Sequence, residues 1–530
     1  MELPSWLGLP TLGFGRSTLR ARHGLVLAGG GSRASFQIGA LRHLYDVVGI
    51  RPEVITATSA GSVVACTIAQ WSDPSDQARA MAQLDQLWMS MQDQSEMFAP
   101  RAWFKLLLEK GPEWAKLIDH ERSRRTHGLA IPRINLPFTR AQDGSSTVVD
   151  PADPVAGGED SRLAAPLSGQ AATLDLATKE IPVPDDGATW SPSVVLQVLA
   201  ALSKLTRDGG DIQTILKGAD ASGSTYRAGP ILAKLLDTTW FRSERLAASS
   251  VQLRIAMVAL ESGELRYMTE HGTLVDRRNQ PLEGPSHDVT KGVLASCSIP
   301  GVFRPVEING EHYVDGGVRE NTPAEMAIGH LGVTHPYVIA CSPLGIARTE
   351  DFGAKNMLDL ATRSIDILTD EAGRDEIAYA LTAGAKVIGP DIAVHSSMTV
   401  DPGLLRINRD YGWMTSAEQY EETGPEVRDQ VNEIVRLRMR GWELEKAWLH
   451  DQMPLETIEP SLGTPAARQG SSARQPLSGP EQILELGEVK RQLAEASARL
   501  PESLRPEGAD GWGWTLEAHG HMPHGIEPPW

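Results

Sequence analysis

The sequence is poor in cysteine, poor in aromatic residues and without any long apolar run, and each shortage narrows what it can be. Its 530 residues contain three cysteines, Cys66, Cys297 and Cys341, all in apolar or small-residue surroundings. They make no disulfide framework and have no metal-ligand spacing, so they are expected to be reduced core residues of a cytoplasmic protein. No apolar stretch reaches the ~18 residues that a bilayer-spanning helix needs. The N-terminus lacks a basic segment followed by an apolar run, so no signal peptide is expected. Positive charge is also in deficit: the formal net charge is −18. That balance argues against a general nucleic-acid binder and against broad adhesion to anionic membranes.

What is present is a chain that is 41% hydrophobic, long enough to bury a large core, with an α/β rhythm at both ends of an irregular middle. His23–Ala28 reads as a strand that opens into Gly29-Gly30-Gly31-Ser32-Arg33-Ala34, and Phe36, Ile38, Ala40, Leu41 and Leu44 follow at helical spacing. Val54, Ile55 and Thr56 then form a buried strand, and Ala60 to Ala69 a small-residue helix. Ser59 stands at the corner between them. The corner Ala57-Thr58-Ser59-Ala60-Gly61 approximates the Gly-x-Ser-x-Gly turn that exposes a serine hydroxyl above a sheet, over a helix N-terminus that favours negative charge.

The glycine loop admits two functional readings. A dinucleotide site would place its acid about 20 residues on, where Glu53 stands, although Glu53 begins the second strand rather than ending it. An oxyanion hole would use the same glycines to let backbone N–H groups converge on a carbonyl oxygen. Later strands are expected at Val251–Leu260, Leu265–Met268, Tyr337–Cys341 and Lys386–Ile388, with a hairpin around Asn309-Gly310 that delivers Asp315-Gly316-Gly317. A serine hydrolase with a histidine base could draw by chain order on His330, His335 or His395. That arrangement normally has several strands before its elbow, whereas only one βα unit precedes Ser59.

Serine corner, glycine loop and late aspartate, in this order, resemble the patatin-like phospholipase family of lipid acyl hydrolases. The run Ala295–Phe303 and Asn321-Thr322-Pro323 also look like that family, over about residues 23–72 and 230–415. The resemblance implies an α/β, three-layer fold with a mostly parallel central sheet flanked by helices, here with a helical cap or insertion and a C-terminal helical extension. It implies a catalytic Ser59–Asp315 dyad, an oxyanion hole at Gly29, Gly30, Gly31 and Arg33, and support from Ala57, Gly61, Gly316 and Gly317. It implies no cofactor and no metal, a lipid or phospholipid substrate, and no nucleic acid. Ala34 and Ala57 stand where the family has glycine. The alternative is a non-catalytic lipid-binding or scaffolding protein on the same fold.

Beyond the motifs, residues 1–22 are expected to be an arm and 23–415 the hydrolase domain. The domain carries a helical insertion over 72–230, of which 141–188, free of aromatics, is expected to be disordered. Within the insertion, Met97–Leu108 joins Trp103 and Phe104 to Arg101 and Lys105, a segment suited to transient membrane-surface contact or simply to core packing. Residues 416–450 are expected to form a helix, and 451–530 a low-complexity linker, a short amphipathic helix and a disordered tail. The oligomeric state is left open.

Overall fold

The computed structural model describes residues 21–106, 109–110, 223–345, 357–452 and 479–520. The chain divides into one unit of residues 1–101 and 219–530 and another of 102–218. The expected disordered insertion over 141–188 lies outside the described residues. In the second unit, residues 102–106 are helical, with Trp103 edge-on to Phe104 and both half-buried.

The first unit is built on a mixed, mostly parallel sheet. In chain order its elements are β1 (His23–Leu27), α1 (Ala34–His43), β2 (Val54–Thr58), α2 (Ala60–Ala69), α3 (Pro74–Met89), β3 (Phe98–Pro100), β4 (Tyr226–Ala228), α4 (Pro230–Leu235), α5 (Ser243–Ala248), β5 (Gln252–Ala259), β6 (Leu265–Thr269), β7 (Leu274–Asp276), α6 (Val289–Ser296), β8 (Val306–Ile308), β9 (Glu311–Asp315), β10 (His335–Ile339), β11 (Lys386–Ile388), and the helices α7 (Met357–Thr382, preceding β11), α8 (Pro402–Glu421), α9 (Pro425–Gln452) and α10 (Gly479–Arg499). The main path runs β11-β10-β1-β2-β5-β6-β7. The pairings from β11 through to β5 are parallel, and β5–β6 and β6–β7 are antiparallel.

The central strands are continuous apolar runs because both faces of the sheet are covered. Leu25, Leu27, Ile55, Ala57, Leu253, Ile255 and Met257 enter one core with α1, α2, α3 and α8. Val26, Val54, Ala256 and Val258 enter another with Ile377 and Ala380 of α7. The Asn309-Gly310 turn has positive φ at both residues (54° and 79°), as a two-residue hairpin requires, and joins β8 to β9 in register.

The register of β5 brings the expected site together. Residues Gln252–Ala256 pair with β2, ending at Thr58 opposite Ala256. Residues Met257–Ala259 pair with β9, beginning at Asp315 opposite Met257. Met257 also pairs with Arg266 of β6, so β9 must lie along the edge of β5 that β2 occupies. Strands β2 and β9 therefore run towards each other along one edge and stop at adjacent positions, which sets Ser59 beside Asp315.

Two expectations are corrected. Residues 402–421 form a helix, α8, that crosses the boundary expected at 415/416. The tail is packed at least as far as Ala518, with Leu504, Trp512, Leu516 and Glu517 buried. Of the two readings of Met97–Leu108, Met97 and Phe98 follow core packing, beside and on the small β3–β4 sheet; Leu107 and Leu108 lie outside the described residues.

Candidate active site

Ser59 is the only serine with positive φ among the described residues (φ 52°, ψ −131°), the strained corner that a strand-to-helix turn of this tightness imposes. Three hydrogen bonds with two neighbours hold it there. Its N–H donates to the Ser296 hydroxyl (2.8 Å), and its carbonyl accepts from the Ser62 hydroxyl (2.6 Å) and the Ser62 N–H (2.8 Å). Gly61 is needed for close approach: a methyl there would lie 2.6 Å from the Leu27 carbonyl oxygen. Ala57 is buried in β2, opposite Leu27 and Ile255, where alanine is at ease. Ala34 begins α1 with φ −58°. Neither alanine sits where the backbone requires glycine.

Asp315 is 5% exposed. Burial pushes its carboxyl up to about 6, against the downward pull of hydrogen bonds from the Ser59 hydroxyl and the Gly317 N–H. The Gly317 bond is 2.8 Å long. The Asp315 N–H in turn donates to the Ser298 carbonyl (3.0 Å). Ser296 and Ser298, two residues apart, thus fasten the backbones of Ser59 and Asp315 respectively. The run 295–303 was noticeable in the sequence, but nothing local marks these two serines as braces, since their partners are distant in the chain.

The glycine loop lies against the same corner. A methyl on Gly29 would come within 3.1 Å of the Ser59 Cβ. Gly31 has φ +59° and faces the Ser397 carbonyl, so only glycine fits. The Gly29 N–H is already engaged by the Asn321 carbonyl (3.1 Å). The N–H groups of Gly30 and Gly31 have no acceptor among the described residues. Gly316 packs against Ala256 at the β9 terminus, which lets the Asp315 turn close on β5. The Arg33 carbonyl accepts from Asn408 (3.2 Å), and its charge lies near Cys341 and His395.

The competing assignments do not assemble. Glu53 is at the start of β2, its N–H bonded to the His23 carbonyl (2.9 Å), at the far end of the strands from the glycine loop. His335 begins β10 and stacks on His23 at that same far end. His330 closes the turn Met326–His330. His395 is buried with its Nδ1 2.9 Å from the Ser396 carbonyl and 3.5 Å from the Ser32 hydroxyl.

A pocket opens above Ser59, which is one of its lining residues. Its walls are apolar, with Trp88, Met97, Phe98, Ile231, Leu235 and Phe303 among them. Cys297 completes one wall, its Sγ 3.8 Å from the Ser62 hydroxyl, and burial followed by the Asp315 charge pushes its thiol up to about 12. It is therefore a neutral wall residue rather than a nucleophile. Among the described residues no group of His, Cys, Asp and Glu could hold a metal ion, and no helix is long and apolar enough to cross a membrane.

Comparison with solved structures gives similarity to VipD from Legionella pneumophila, at 12% identity over 96% of this chain and 93% of that one, with a TM-score of 0.27. It also gives similarity to the type III effector protein ExoU, at 12% identity over 91% of this chain and 77% of that one, with a TM-score of 0.19. Superpositions that loose say nothing about activity. The family comparison is of a different order: the patatin-like phospholipase family matches residues 25–328, a span that begins in β1 and takes in the glycine loop, Ser59 and Asp315. The chain belongs to the patatin-like phospholipase family, which implies a lipid acyl hydrolase.

Proposed function

We propose that the protein is a serine acyl hydrolase that cleaves fatty acyl esters of lipids or phospholipids through Ser59 and Asp315, without a metal or cofactor. The observation that carries this reading is the juxtaposition made by the β5 register: the strained Ser59 corner, which lines an apolar pocket, stands beside the buried Asp315 carboxyl. An acyl chain in that pocket would present its ester carbonyl to Ser59. Asp315 takes the hydroxyl proton as Oγ attacks, and returns it to the departing alcohol. Water, activated by the same carboxylate, then releases the acyl group from Ser59.

The oxyanion of the tetrahedral intermediate needs donors that are not already engaged. Gly29 serves the loop's structure through Asn321, which leaves the N–H groups of Gly30 and Gly31, together with the positive end of α2, for the charge. Each such donor contributes on the order of 3 kcal/mol to the transition state. Arg33 adds positive potential behind the loop. The non-catalytic alternative drew on Ala34 and Ala57 and on the long segments outside the family resemblance; the backbone is relaxed at both alanines, which weighs against the first of these grounds. Contact with a membrane surface would be transient.

Ser59→Ala and Asp315→Asn are each expected to abolish ester hydrolysis while leaving the melting temperature nearly unchanged, and Ser59→Ala to abolish labelling by a fluorophosphonate probe. Near-full activity in Asp315→Asn would sink the dyad. A wild-type protein that is neither labelled nor active on any lipid ester would favour the scaffolding alternative.

A further inference from the structure

The glycine loop and the Asp315 loop meet at Asn321, and a carboxylate from neither of them holds that residue. The Asn321 carbonyl accepts the Gly29 N–H, and its Oδ1 lies in the space that a methyl on Gly29 or Gly317 would enter. Asn321 thus touches both halves of the site. Its own N–H donates to Glu376 Oε1 (3.1 Å), and the next N–H, of Thr322, donates to Glu376 Oε2 (2.6 Å). One carboxylate with an oxygen on each of two consecutive amides fixes the orientation of both peptide planes.

Glu376 comes from α7, beyond the span the family match covers. Among the described residues no cation pairs with it. Burial, and then the charge of Glu320, push its carboxyl up to about 8, against the pull of the Thr322 and Asn321 N–H groups. A buried polar group of this kind depends on its hydrogen bonds, and here the bonds lead to Asn321 and Thr322.

We infer that Glu376 is a positioning residue for acyl transfer: it holds Asn321 and Thr322, and through Asn321 it keeps the glycine loop in register with Asp315. This rests on the acyl-hydrolase reading above. The loop matters most when the oxyanion forms, so its misplacement acts on kcat rather than on KM.

The full-length protein is assayed on p-nitrophenyl butyrate. Glu376→Ala, which loses both acceptors, is expected to lower kcat about tenfold or more with KM within about twofold of wild type. Glu376→Gln keeps one acceptor oxygen and is expected to fall between the two. Hydrogen exchange at Gly29 is expected to quicken in both variants. Where Glu376→Ala does not fold, Glu376→Gln carries both measurements. Unchanged kcat in a folded variant overturns the inference, as does a lowered melting temperature with kcat intact, the signature of a mere brace. A wild-type protein without esterase activity overturns the acyl-hydrolase reading instead. Exchange at Gly29 then still decides the matter for Glu376: faster exchange supports its hold on the loop, and equal exchange refutes it.

Discussion

At the scale of single residues, the proposed dyad asks Asp315 to be both buried and ionised, and those demands conflict. Burial raises its carboxyl to about 6, against the downward pull of Ser59 and of the Gly317 N–H. With the carboxylate as the proposed base, kcat/KM is expected to climb as pH rises through about 6 and to fall about tenfold per unit below it. Neither His395 nor His43 would supply this limb, since burial holds both down to about 4. A profile of kcat/KM on a soluble ester from about pH 4.5 to about pH 8 measures this, and a flat profile removes Asp315 as the base. Ser59 and Asp315 were legible in the sequence because each stands in a local motif. Asn321 and Ser296 lay in stretches that stood out, but their roles, like that of Glu376, were not legible, because what they do depends on atoms brought near only by the fold; Ser296 and Ser59 are 237 residues apart.

At the scale of elements, legibility follows what an element uses to stay buried. The strands β1, β2, β5 and β10 carry apolar runs, and the β8–β9 hairpin carries Asn-Gly, so all were readable. Helix α8 was not. Its buried positions mix Leu405, Ile407, Tyr411 and Met414 with Gly403, Asn408, Asp410, Gly412, Thr415 and Ser416, so polar residues and glycine break up its apolar face. It packs on α1 through close backbone contact at Gly39 and Gly412 and through the Asn408 bonds to Ser35 and Arg33. The packed tail was hidden likewise, since its anchors are charges: Arg438 of α9 is fully buried, bonded to Asp410 of α8 (2.8 Å) and Glu517 (2.7 Å), with Trp512 on its face (4.1 Å). Asp410 also pairs with Arg409 (2.5 Å). Removing one partner of such a network strands the others, so Arg438→Ala is expected to cost about 3–5 kcal/mol. Urea unfolding measures it against Arg491→Ala on the exposed face of α10, which is expected to shift nothing measurable. Equal midpoints for the two variants would mean that the buried network does not hold the tail.

At the scale of the whole molecule, the family span ends at residue 328, but the sheet and the site do not. Strand β10 pairs with β1 from His23↔His335 to Leu27↔Ile339, and the Ile339 carbonyl accepts the Ala28 N–H just before the glycine loop (3.1 Å). The loop is then covered by the segment entering α8. Ser397 offers its carbonyl to the Ser32 N–H (2.8 Å) and hydroxyl (3.0 Å), and Val400 is fastened by Gln94 (3.0 Å). Without residues beyond Gly345, β10 would lose β11, α1 would expose the face that α8 buries, and the glycine loop would lose Ser397 and Asn408. Exposed apolar surface of that kind leads to aggregation rather than to a smaller enzyme. A chain ended after Gly345 is therefore expected to be insoluble or unlabelled by a fluorophosphonate. One ended after Gly520 keeps Glu517, Trp512 and the ion network, and is expected to label as fast as the full chain. Labelling of the shorter chain at the full-length rate would show that the C-terminal helices are an addition to the site rather than part of it.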